Sequence, residues 1–255
     1  MHVTGIGWAG ILTEDFESTL RFFSEGLGLS LVHRDEMKEL AHFRFRSGQL
    51  LEVYGPGNRR RKEKYRWFNG PVLGFEVDDI QLARQEMLAR GARFITEIES
   101  WENERWSLFL GPQEKLFEIL LSSRKPAGHF RNILGICGAR VHVQDSVAAS
   151  HFFSKVMEML PVQQENEREI VHYRLPAGHK FEVLVSSAKG DDPTAPLIIG
   201  FEVNDMREAR REMESRGVEF VGPPEAMQDG SARSQFCAPD HFIYELVCEP
   251  GHQLQ

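Results

Sequence analysis

The sequence predicts an α+β protein made of four tandem strand–helix–three-strand units. A repeated hairpin is the first sign. Leu40 to Tyr54 recurs as Ile170 to Leu184, and His42, Arg44, Gly48 and Glu52 are answered by His172, Arg174, Gly178 and Glu182, each 130 positions later. A second repeat runs from Gly74 to Thr96, where 12 of 23 positions are identical at a spacing of 126. Identity that dense at a fixed offset marks a duplicated unit. The third sign is element order: strand, helix and three strands can be read twice in each half.

Gly5 to Leu12 is short and apolar and reads as a strand. Asp15 stands where a helix N-cap belongs, with Phe16, Leu20, Phe23 and Leu27 at helical spacing. Gly26 and Gly28 close that helix and release a strand at Leu29 to Arg34, and the hairpin supplies two more. Val72 to Val77 is the next strand. Asp78-Asp79 opens a helix with Ile80, Ala83 and Met87 on one face, Gly91 is its left-handed cap, and strands follow at 92–96, 107–110 and 116–121. After a linker with Pro126 and Gly128 the pattern returns: Gly135-Ile136 answers Gly5-Ile6, Asp145 answers Asp15, and Phe152-Phe153-Ser154 answers Phe22-Phe23-Ser24. The expected domains are 1–123 (units 1–55 and 70–121) and 131–250 (units 133–186 and 196–249).

The 255 residues carry a formal net charge of −8, with 41% hydrophobic and 27% charged residues. That balance suits a globular protein and disfavours broad binding to nucleic acid or an anionic membrane. No apolar run nears the roughly 20 residues that span a bilayer, and no export signal is visible, so the expected compartment is the cytoplasm. Cys137, Cys237 and Cys248 form no Cys-x-x-Cys spacing and read as inert thiols. The basic run Arg59 to Lys64 reads as a solvated connector, with anion capture as its functional alternative.

Four such units with acidic helix openers at Asp15, Asp78, Asp145 and Asn204-Asp205, and with endings such as Phe236-Cys237-Ala238-Pro239-Asp240 before Tyr244-Glu245-Leu246, resemble the vicinal oxygen chelate superfamily. That group contains glyoxalases, bleomycin-resistance proteins and extradiol dioxygenases. The resemblance implies that paired units curl into two cup-shaped open antiparallel sheets, helices outside and ligand inside. Strand alternation agrees, since it needs one packed face and one free face. Whether units pair within a half or across halves stays open.

The resemblance also implies where a divalent ion would sit: on a histidine about seven residues before each helix opener and on a glutamate of each last strand. The histidine places hold Trp8, Val72, Gly138 and Ile198, while Glu52, Glu118, Glu182 and Glu245 fill the carboxylate places. Two carboxylates without imidazole make a poor transition-metal site. The expectation is therefore no metal cofactor. A non-standard set such as His172, Glu182 and Glu245 would be needed for the alternative, a metal-dependent lyase, isomerase or dioxygenase. Arg44 and Arg174 on adjoining strands could instead pair with Glu52 and Glu182, and His42 and His172 share their faces.

Taken as one cup per half, the first holds Trp8 and Trp106, with Trp101 nearby. The second holds Gly138 and Arg233 in their places and is expected to be roomier, with Arg140, His142, Arg174 and Arg233 converging on Glu182 and Glu245. Such a cavity suits a small anionic or aromatic organic molecule. A binder, monomeric or homodimeric, is the leading expectation. An interaction module using the basic 59–66 arm is a third.

Overall fold

A computed structural model describes residues 3–58, 71–101, 104–121, 133–165, 170–185, 197–227, 230–239 and 242–250. The basic arm, the 122–132 linker and Asp240-His241 lie outside the described residues, as does the Trp101 side chain. The first unit is β1 (Val3–Leu12), α1 (Phe16–Arg21), β2 (Ser30–Asp35), β3 (Leu40–Arg44) and β4 (Leu50–Tyr54). The second is β5 (Val72–Val77), α2 (Ile80–Ala89), β6 (Arg93–Phe94), β7 (Glu99–Trp101), β8 (Glu104–Leu110) and β9 (Leu116–Leu121). The third is β10 (Gly135–Val143), α3 (Ser146–His151), β11 (Pro161–Glu165), β12 (Ile170–Arg174) and β13 (Lys180–Val185). The fourth is β14 (Leu197–Val203), α4 (Met206–Ser215), β15 (Glu225–Ala226), β16 (Ala232–Cys237) and β17 (Ile243–Cys248).

Local chemistry explains the element starts. The carboxylates of Asp15, Asp79, Asp145 and Asp205 each accept a backbone N–H from the first helical turn, which satisfies donors that a helix leaves orphaned. In the second unit Asp79, not Asp78, makes the cap. Both repeated hairpins turn at a glycine with positive φ, Gly48 at 94° and Gly178 at 87°, a conformation that a Cβ would strain.

The units form two curled sheets, and they pair across the halves. One sheet runs β15-β16-β17-β14-β1-β4-β3-β2 and the other β11-β12-β13-β10-β5-β9-β8-β6, with β7 on β8. The first unit thus meets the fourth through antiparallel β1 and β14, and the second meets the third through antiparallel β5 and β10. The halves remain joined on their helix-bearing faces. Phe22, after α1, packs on Phe109 and Phe117 of the second unit at 6.4 and 6.5 Å, while Phe152 meets Phe236 and Phe153 meets Tyr244 at 6.1 and 5.8 Å. Each half shares an aromatic core, and each sheet takes one unit from each half.

Two side chains tie the sheets together at matching irregularities. The β1–β14 register shifts between Ile6 and Trp8, and the β10–β5 register shifts between Ile136 and Gly138. Gln49 Nε2 donates to the Ile6 and Ile136 carbonyls at 2.5 and 2.8 Å, and the Ile136 N–H donates back to Gln49 Oε1 at 2.8 Å. His179, the repeat counterpart of Gln49, accepts the Ile6 N–H at 2.8 Å. Such bulges re-aim the next side chains, here Trp8 and Gly138. Among the described residues no helix is long and apolar enough to cross a membrane.

Candidate functional site

Alternation along each strand sends one set of side chains to the helix core and the other into the open face. On the first sheet the open face receives Trp8 from β1, His42 from β3, Glu52 from β4, Arg233 from β16 and Glu245 from β17. Glu52, Glu245, Arg233 and Trp8 are all buried, at 2% exposure or less. Arg233 lies between the carboxylates, with Nη2 2.8 Å from Glu52 Oε1 and Nη1 4.0 Å from Glu245 Oε2. Its guanidinium also sits over the Trp8 ring, 4.7 Å from the centroid, a cation–π contact strengthened by desolvation. Tyr54 donates its hydroxyl to Glu52 Oε2, and His42 Nε2 is 3.5 Å from Glu52 Oε1. Burial alone would raise the Glu52 carboxyl, but the Arg233 charge and hydrogen bond, then His42 and Tyr54, hold it below its usual range.

The second sheet repeats the carboxylates and changes their partners. Arg140 Nε on β10 donates to Glu182 at 2.7 Å, while Arg140 Nη2 stands 3.6 Å from Glu118 Oε2. His172 Nδ1 and Lys180 Nζ each lie 2.8 Å from Glu182 Oε1. Against the penalty of burial, His172, Arg140 and Lys180 hold Glu182 well below its ordinary value. Glu118 goes the other way: burial pushes it up to about 7, and Arg140 only partly offsets this. Its Oε2 has no hydrogen-bond partner among the described residues. At the rim, Glu104 receives Arg174 at 2.6 Å and Lys180 at 2.5 Å.

A family model described as the glyoxalase/bleomycin resistance protein/dioxygenase superfamily matches residues 5–119 and 135–246. The chain belongs to that superfamily. No curated protein sequence matches it significantly. Among solved structures, a Bacillus subtilis protein provisionally described as a dioxygenase is 14% identical with a TM-score of 0.79, over 98% of this chain and 86% of that one. Glyoxalase I from Zea mays is 16% identical with a TM-score of 0.70, over 96% and 92%. At such identities the likeness is one of fold.

Metal-dependent members of the superfamily would place a divalent ion in the cup, and the donors present do not fit one. Trp8 and Ile198 pack in an apolar cluster of the first cup, and Val72 and Gly138 offer no ligand atom to the second. The carboxylates are engaged by guanidinium groups. Among the described residues no group of three or more His, Cys, Asp or Glu side chains could hold a metal. The set His172, Glu182 and Glu245 is divided between the sheets, on β12, β13 and β17.

Pairing across halves regroups the other expected residues. Arg140, His142, His172, Arg174 and Glu182 share the second sheet with Trp106 and Glu118. Arg233 and Glu245 share the first with Trp8, His42, Arg44 and Glu52. Arg44 and Arg174 do not hold the hairpin glutamates, because register places them opposite Leu50 and Lys180, while His42 and His172 stand opposite Glu52 and Glu182. His142 is exposed, its imidazole lowered by desolvation and then by Arg140. A cavity of about 530 Å³ opens on the Trp8 side, lined by Arg44, Leu50, Glu202, Arg233 and Val247 among others. Lys180, Glu104, Tyr54 and Glu202 were missed, although period-two alternation from Glu182, Trp106, Glu52 and Gly200 puts each on the open face.

Proposed function

We propose that this superfamily member binds a small anionic or aromatic organic molecule on the open face of its first sheet, without a metal ion, in a sequestering or carrying role. One observation supports this reading most. Arg233 occupies the space between Glu52 and Glu245 with a permanent positive charge, beside a cavity of about 530 Å³. A guanidinium supplies one positive charge between two carboxylates where a divalent ion would supply two, and it cannot accept a substrate oxygen into a coordination shell. Its volume falls within the roughly 300–1,000 Å³ usual for small-molecule sites.

Thermal shift across aromatic carboxylic acids and antibiotics, with a chelator present, tests the reading. Ligand at about 100 times its dissociation constant should add about 2.7 kcal/mol of stability and raise the Tm measurably. No shift with any compound, or a shift only after a divalent cation is restored, would overturn it.

A catalytic reading, proton transfer of the lyase or isomerase kind on the second sheet, has one observation in its favour. Glu118 combines a buried oxygen without a hydrogen-bond partner among the described residues and a pKa of about 7, the range suited to a general acid or base. Turnover lost in Glu118→Gln and retained in Arg233→Lys would favour that reading over binding alone.

A further inference from the structure

The cavity on the first sheet carries charges of both signs, and on the second sheet the counterparts of two of its lining residues, Arg44 and Leu50, are drawn into ion pairs. There Arg174 and Lys180 close on Glu104 at 2.6 and 2.5 Å. The arginine of that clamp is kept on the first sheet, and its two other members are replaced. Arg174 corresponds to Arg44, Lys180 to Leu50, and Glu104 to Ser231 (an offset of 127 that also relates Trp106 to Arg233). Arg44 keeps one described contact, a hydrogen bond to the Gly48 carbonyl at 3.1 Å, and among the described residues it has no carboxylate partner. Its guanidinium lines the cavity instead.

Two carboxylates line the same cavity, Glu202 of β14 and Glu249 just beyond β17. Glu202 is half-buried, and the open backbone of Gly7 runs beside it: a Cβ there would stand 3.5 Å from the Glu202 Cβ. Burial raises the Glu202 carboxyl and the like charge of Glu249 raises it further, the signature of an anion pair with too little positive charge nearby. Neither glutamate forms an ion pair with a described lysine or arginine. At the inner end of the cavity lies Arg233, 2% exposed, whose Nε and Nη1 have no hydrogen-bond acceptor among the described residues. Between these groups the wall is apolar: Trp8, Leu50 and Val247.

We propose that this cavity takes a zwitterion with an apolar body, its ammonium held by Glu202 and Glu249 and its carboxylate by Arg44, with Trp8, Leu50 and Val247 against the body. The assignment rests on the small-molecule reading above and narrows it: a molecule bearing only an anion leaves the glutamate pair uncompensated. Separated charges of opposite sign also fix orientation, since reversing the ligand would set like charges together. On the second sheet the same recognition is blocked, because Glu104 already occupies the arginine and Lys180 replaces the apolar wall.

Calorimetric titration of the full-length protein at neutral pH with L-phenylalanine, 3-phenylpropanoate and 2-phenylethylamine tests the assignment. These share one ring and carry both charges, only the anion, or only the cation. L-phenylalanine should bind more tightly than either by about tenfold or more, since each lost charge-assisted contact is worth about that factor. Glu202→Gln with Glu249→Gln should bring L-phenylalanine down to the 3-phenylpropanoate level without weakening 3-phenylpropanoate. Equal affinity for 3-phenylpropanoate would overturn the ammonium site and leave the anion-binding reading standing. Equal affinity for 2-phenylethylamine would overturn the role of Arg44. If none of the three binds at millimolar concentration the zwitterion assignment falls, and the aromatic-acid panel then judges the broader reading separately.

Discussion

The two cups inherited the same pair of glutamates and neutralise them with different arginines. In the first, Arg233 arrives from β16 and lies against Trp8; in the second, Arg140 arrives from β10 and reaches Glu182. The two arginines are not repeat counterparts. Arg140 corresponds to Gly10 and Arg233 to Trp106, so duplication copied the carboxylates and not the counter-ion. Space decides which strand supplies it. A Cβ on Gly10 would lie 2.5 Å from the Trp8 indole, whereas Gly138, in the place of Trp8, leaves the face open for Arg140. Burying two carboxylates together requires a cation or a proton, and the cups chose differently. Arg233 is fully buried between its pair. Arg140 favours Glu182, which also holds His172 and Lys180, and Glu118 is left at a pKa of about 7.

That contrast can be broken most forcefully at the arginines. Arg233→Ala should destabilise by about 3–5 kcal/mol, the range for stranding a buried charge. Arg140→Ala should cost about 1–3 kcal/mol, because Lys180 and His172 still hold Glu182 and water reaches the rim. Equal losses in denaturant titrations would show the cups to be alike. The pH dependence comes next. Glu118, raised from 4.5 to about 7, keeps a proton that the unfolded chain has lost, so its contribution falls as pH rises through that window. Glu118→Gln should remove a slope worth on the order of 3 kcal/mol across it. Glu52, lowered instead, contributes above its ordinary value of 4.5 and loses that contribution as pH falls below it. Lys115, pushed by burial down to about 7, acts with the opposite sign above that pH. A flat difference between wild type and Glu118→Gln would contradict the assignment.

Smaller effects sharpen the comparison. Gly10→Ala should cost about 1–3 kcal/mol by forcing the Trp8 indole aside. Gly138→Ala, whose Cβ would first meet the Lys180 carbonyl at 3.3 Å, should cost less than about 1 kcal/mol. The reverse order in thermal unfolding would mean that space does not set the choice. At the rims, Arg174→Gln should lose about 0.5 kcal/mol with its Glu104 pair while Arg44→Gln stays near zero, as exposed pairs are weak.

Much of the fold was legible because its signals are local. The Asp caps, the glycine turns and the repeated spacing each act within a few residues. The four glutamates were legible for the same reason, since they lie on strands copied with their register. Sheet partnership was not, because β1 would bury its edge equally well on β5 or β14, and no local pattern distinguishes them. That one ambiguity misassigned Arg233 and Trp106 to the wrong cups. It also hid the cavity, whose walls join residues near 44, 202 and 249.

The central claim is that in each cup a guanidinium stands among the carboxylates that would otherwise be free to hold a divalent ion. Calorimetric titration of untagged full-length protein with manganese, nickel and zinc ions tests it most directly. Buried Arg233 and half-buried Arg140 predict no saturable binding by the wild-type protein. A stoichiometric ion whose binding disappears in Glu52→Gln or Glu118→Gln would contradict it.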